Sequence, residues 1–162
     1  MFRSRKSVYI FLATISFYTL FLKSLYTTQH GGDTWAMYLR CQAIIAEGHI
    51  PWFIDATSFF GWYPFSYPSG SLVLISGLSI VTGLNMDTIV LFWPLVVGIL
   101  SIYSIFIFSR LFGTNFIALV TVAVYSTFFI SIMSTWHTIA TRGLFVSIYP
   151  LVMFLYFRTS SN

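Results

Sequence analysis

TIVLFWPLVVGILSIYSIFIFS, residues Thr88–Ser109, carries no charged side chain over about 22 positions. A membrane-crossing helix needs about 20 predominantly apolar residues to span a hydrocarbon core about 30 Å thick. The stretch meets that length, and its single proline, Pro94, is tolerated more readily in lipid than in a soluble helix. Outward from it, 115–134 and 143–158 are further apolar stretches, the second closed by Arg158. Towards the N-terminus, Val8–Leu22 is uncharged and follows Arg3, Arg5 and Lys6. A basic flank before a short apolar run also describes a signal peptide. No small-residue cleavage site follows, and Lys23-Ser24-Leu25-Tyr26 is bulky. We therefore expect an uncleaved first helix over 7–26, with Lys23 extending its ammonium to the far interface.

Composition agrees. Hydrophobic residues make up 57% of the 162 positions and charged residues 7%, against about 25% charged in soluble domains. A soluble surface could not be covered with so few charges, so the missing surface is expected to face lipid. Aromatic residues reach 20%, which suits lipid contact and interfacial anchoring. The net charge of +4 comes from scattered residues, with no patch that would read a nucleic acid. One cysteine, Cys41, excludes an intramolecular disulfide and a cysteine-based zinc site.

Residues 27–86 differ from the rest. They hold three of the four acids (Asp33, Glu47 and Asp55), His30, His49, and Pro51, Pro64 and Pro68 among many aromatics. Within them, 33–47 is predicted to be an amphipathic helix. Asp33, Met37, Arg40, Ile44 and Glu47 recur at steps of four and three, while Trp35, Leu39, Ala43 and Ala46 form an apolar face. Gly31-Gly32 and Gly48 bracket it as start and stop signals. A further helix is expected over 69–84, too short for an ordinary crossing. Charge placement decides its side of the membrane. With the N-terminus cytoplasmic, a crossing by 69–84 would put Arg110 and Arg158 outside; without one, both lie inside, as the positive-inside tendency favours. The expected fold class is thus all-α integral membrane, with about four crossings (7–26, 87–109, 115–134, 143–158) and a large outer first loop carrying an amphipathic and a shallow half-buried helix.

Chemistry concentrates on that outer side. Asp33 stands behind two glycines at the start of a helix, where a carboxylate can hold a divalent cation or accept a proton. Asp is equally among the best helix N-caps, and the two roles are compatible. Asp55, in the loop after Pro51-Trp52, is a second metal-ligand candidate. Glu47 lies 14 residues beyond Asp33, roughly 21 Å along a helix, too far to share one ion. Trp62-Tyr63-Pro64-Phe65-Ser66-Tyr67-Pro68-Ser69-Gly70 fits either a ring-lined carbohydrate or lipid groove or an interfacial aromatic belt. Arg142, after Trp136 and His137 in the second outer loop, suits either a phosphate or diphosphate through its forked donors or a plain lipid-headgroup contact. Arg40 and His137 are further phosphate- or substrate-binding candidates. No nucleophile triad, phosphate loop or metal-spaced histidine set occurs. A channel or transporter would call for ionisable residues inside the spans, and 88–109 and 116–134 have none.

The order of features resembles a known family. A first membrane helix is followed at once by Gly32-Asp33-Thr34-Trp35, then by Tyr38-Leu39-Arg40, Glu47-Gly48-His49-Ile50-Pro51-Trp52, Asp55, Tyr63-Pro64 and Tyr67-Pro68-Ser69-Gly70. This resembles the N-terminal part of the GT-C membrane glycosyltransferases, above all the catalytic subunit of oligosaccharyl transferase and its archaeal and bacterial relatives. The resemblance covers about residues 7–145 through short motifs. It implies that Asp33 acts at the metal or acceptor site, with magnesium or manganese as the ion, and that Arg142 lies where the family has an arginine before its second acidic motif. It implies a lipid-linked sugar donor as partner, sugar transfer on the outer face, and the plasma membrane of a prokaryote as location. Thr141-Arg142-Gly143-Leu144-Phe145 is not followed by the family's paired acids. The family's later helices and soluble domain are not in these 162 residues. We therefore expect a fragment that a partner subunit or downstream domain completes, inactive alone. The alternative is a non-catalytic small membrane protein that binds a partner or lipid, or a degenerate fragment.

Overall fold

The computed structural model describes residues 5–24, 32–51, 70–128 and 141–160, and among them every regular element is a helix. The longest helix organises the others. It spans Met86–Ser109, fourth in chain order (α4) after α1 (Arg5–Ser24), α2 (Gly32–Glu47) and α3 (Gly70–Thr82). Asn85 caps α4 by accepting the Thr88 N–H at 2.9 Å, and Asp87 in the first turn complements the positive helix end. Pro94 sits inside α4 and is buried, so the missing N–H falls where packing, not solvent, surrounds the backbone. Two further helices follow, α5 (Asn115–Thr127) and α6 (Thr141–Ser160). Two glycines stop helices as the left-handed residue after the last turn. Gly48, at φ 72°, donates to the Ile44 carbonyl, and Gly83, at φ 68°, donates to the Ser79 carbonyl.

Packing fixes the directions of the long helices. Ser147 of α6 donates to the carbonyl of Val97 in α4 at 3.0 Å. Further along both, Arg110 and Arg158 line one cleft, and the rings of Phe112 and Phe157 meet edge to face. α4 and α6 therefore run parallel. α5 returns antiparallel to α4 after a short turn that Thr114 ends by capping α5. Small residues are buried along both helices, Gly98, Ser101 and Ser104 on α4 and Gly143 and Ser147 on α6, and Ser147 meets α4. Small side chains let helix backbones approach closely.

Two apolar clusters result. One joins α2, α3 and the first half of α4 through Met37, Cys41, Ile44, Leu72, Ile75, Ile89 and Trp93, with Leu144 of α6 against it. The other joins α1, the second half of α4 and α5 through Val8, Leu12, Ile102, Leu119 and Val122. Leu72 is fully buried in the first, whereas Val81, later on the same helix, is 84% exposed. Leu72→Ala is expected to cost about 2–5 kcal/mol, and Val81→Ala no more than about 0.5. Thermal melting of the detergent-solubilised variants would check the contrast.

Two helices, Met86–Ser109 and Gly143–Ser160, are long and apolar enough to cross a membrane, with mean hydropathies of 2.3 and 1.3. Lys6–Phe21, Gly70–Thr82 and Asn115–Thr127 are shorter apolar helices. The expected crossing over 115–134 is the clearest departure from expectation. Its helix stops at Thr127, and Phe128 is extended at ψ 128°. Ser126 and Thr127 both donate side-chain hydroxyls to the Ala123 carbonyl at 3.0 Å. Such bonds compete with the backbone for its acceptors and weaken the last turn. The remaining 13 residues make a helix of about 20 Å, short of the hydrocarbon thickness. Residues 129–134 lie outside the described residues. Among the described residues, two helices rather than four meet the crossing criterion.

The structure sets which side of α2 is buried. Thr34, Met37, Arg40, Cys41 and Ile44 are buried, while Trp35 and Leu39 are exposed. The face with Met37, Cys41 and Ile44 packs on α3, and Trp35 and Leu39 of the apolar face point away from it.

Candidate functional site

α2 begins at Gly32, which puts Asp33 in its first turn. Free N–H groups and the positive end of the helix dipole favour a carboxylate at that place. α6 begins at Thr141, which puts Arg142 likewise in a first turn. The side chains of Asp33 and Arg142 lie outside the described residues, as do Asp55 and His137 altogether. The first turn of α6 sends Leu144 into the cluster that α2 and α3 build with α4. The helix bearing Asp33 and the helix bearing Arg142 therefore meet at one cluster.

Arg40 is the candidate whose place is set by its surroundings. It is 4% exposed, on the α2 face shared with Met37 and Ile44. A guanidinium stays charged inside a protein, so its burial requires compensating polar contacts. Arg40 is thus held inside the packing of α2, not on its exposed face. Glu47 and His49 approach to 3.5 Å at the end of α2. Both are well exposed, and such a pair contributes little.

Cys41 ties α2 to α3. Its thiol donates to the Leu72 carbonyl at 3.8 Å, and the Ser76 hydroxyl donates to the Cys41 carbonyl at 3.3 Å. Burial pushes the thiol up to about 11, against a smaller lowering by Ser76. The reactive form of a cysteine is the thiolate. At pH 8 a group titrating near 11 is about one part in a thousand thiolate. Maleimide should therefore modify the folded protein far more slowly than the denatured chain, as a mass shift would read. The sign for stability follows. The folded state holds this proton more tightly than the unfolded chain, whose ordinary value is 9.0. The contribution is complete below pH 9 and is lost as pH rises towards 11.

Among the described residues no group of three or more His, Cys, Asp or Glu side chains could hold a metal ion. Two features escaped sequence reasoning. The Gly143-x-x-x-Ser147 spacing that forms the α4–α6 seam was readable as a small-x-x-x-small motif. The cleft between Arg110 and Arg158 had no local signal, because it joins residues 48 positions apart in sequence. No protein-family model, no characterised protein and no solved structure matches the chain.

Proposed function

We propose that this chain is an integral membrane module of a GT-C-like glycosyltransferase, which transfers a sugar from a polyprenyl-phosphate carrier on the outer membrane face. The observation that carries this is the order of short motifs after the first apolar helix, from Gly32-Asp33-Thr34-Trp35 through Glu47-Gly48-His49-Ile50-Pro51-Trp52 to Tyr67-Pro68-Ser69-Gly70. The parallel course of α4 and α6 supports it. If both helices cross, their first turns, with Asp87 and Arg142, lie on one side and Arg110 and Arg158 on the other. The two arginines then fall inside, as the positive-inside tendency favours. α1 packs on the second half of α4, in keeping with Arg5 and Lys6 near that same side. In this topology α1 crosses, α2 and α3 lie at the outer surface, and the chain from 115 to 140 returns between α4 and α6, giving about four crossings in all.

The roles follow from chemistry at a lipid-linked phosphate. A departing phosphate needs its charge stabilised by an arginine or a divalent cation. Arg142 would hold the carrier phosphate, and Asp33 would orient the acceptor or a magnesium or manganese ion. Arg40 and His137 would be further phosphate- or substrate-binding groups. The test is transfer from a polyprenyl-phosphate-linked radiolabelled sugar in membranes of cells with and without the gene. Loss of a transferred product on deletion, restored by the gene, is the expected result; unchanged transfer would sink the proposal. One observation favours a non-catalytic membrane protein instead. All acidic side chains lie between positions 33 and 87, so none follows Arg142.

A further inference from the structure

The ends of α4 and α6 enclose an open cleft of about 470 Å³ lined by Phe106, Ile107, Arg110, Leu111, Phe154 and Arg158. Four of the six side chains are apolar and two are guanidinium groups. The Arg158 guanidinium lies 5.9 Å from the Phe154 ring centre, over its face. This stacking orients the charged group along the cleft wall. No acidic side chain occurs anywhere in 88–162. The nearest acid along α4 is Asp87, 23 residues before Arg110 and therefore about 34 Å away along the helix. Two guanidinium groups thus line one cleft beside an apolar wall.

We propose that this cleft binds the phosphate headgroup of an anionic phospholipid between Arg110 and Arg158, with an acyl chain along Phe106, Ile107, Leu111 and Phe154. A phosphodiester supplies the negative charge that two guanidinium groups recognise through forked hydrogen bonds. The apolar wall gives hydrocarbon a surface that a free phosphate ion would not use. Basic pockets between membrane helices at the cytoplasmic interface recognise headgroups by this combination. The inference rests on the membrane reading of the chain, and is independent of whether the chain takes part in sugar transfer. The site lies at the opposite ends of α4 and α6 from Asp87 and Arg142, so the lipid is distinct from the proposed sugar donor.

The experiment is native mass spectrometry of the full chain in nonionic detergent with equal phosphatidylglycerol and phosphatidylcholine. The wild type should retain phosphatidylglycerol over phosphatidylcholine by roughly tenfold, and R110Q/R158Q should bring the two near parity. R3Q/K6Q removes the same charge elsewhere and should keep the preference. R110K/R158K, which keeps the charge without the fork, should keep part of it. Inorganic phosphate at millimolar concentration should not displace the lipid. No preference in the wild type, an equal loss in R3Q/K6Q, or displacement by inorganic phosphate would each overturn the lipid site. Resistance of the expressed chain to carbonate extraction reports membrane residence separately. A resistant chain without the preference defeats the lipid site alone, whereas a chain released by carbonate defeats both.

Discussion

Asp33→Asn is expected to lower sugar transfer by about a hundredfold or more, the scale of losing an acid–base group, while leaving the amount of membrane-inserted protein unchanged. Asparagine keeps the size of the side chain and its place in the first turn of α2. It removes the negative charge that a divalent ion or an acceptor proton would need. The substitution therefore separates the two readings of this position. If Asp33 only complements the positive end of α2, Asn costs the helix at most about 1 kcal/mol and preserves transfer. If it works at the proposed site, stability holds and transfer collapses. The measurement is the rate of label transfer in membranes carrying equal amounts of each variant. A rate equal to wild type would remove Asp33 from the chemistry.

Ser147→Leu is expected to break the pairing of α4 with α6. Ser147 is fully buried, and its hydroxyl donates to Val97 across the seam at 3.0 Å and to Gly143 within its own helix at 2.8 Å. Leucine would lose the hydrogen bond across the seam and force a large side chain between two close backbones. Overpacking of this kind costs about 1–3 kcal/mol, and the lost hydrogen bond adds about 1. Ser147→Ala should cost only the smaller part, because it leaves the seam its size. A melting curve by fluorescence-detected size exclusion should place Leu well below Ala and wild type. Similar melting of all three would mean that α6 is not held by this seam.

The helices were legible where one physical signal dominated. An uncharged run over 88–109 and stop signals such as Gly48 predict α4 and the end of α2, and the structure has both. Hydropathy could not find the end of α5, because Ser126 and Thr127 act through hydroxyl bonds to Ala123 and not through polarity in bulk. The buried face of α2 was not legible either. A binary apolar–polar pattern places Trp35 and Leu39 inside and Arg40 outside, yet Arg40 is buried and Trp35 is 53% exposed. Exposed Trp and Leu suit a helix bathed in lipid or interface, where outward apolar groups meet no water. The candidate site was legible only as motif order. Its members come from α2, α6 and the chain between them, and local spacing says nothing about how distant helices meet.

The central claim is that α4 crosses the membrane with its first turn outside. Cys41 makes the test simple, since burial and a titration near 11 keep the native thiol unreactive. New thiols are placed at the two ends of α4, as Asp87→Cys and Phe112→Cys, both at exposed positions. In intact cells, an impermeant maleimide should label position 87 and spare position 112 until the membrane is opened. Labelling of position 87 only from the cytoplasmic side would contradict the account, and so would equal labelling of both positions in intact cells.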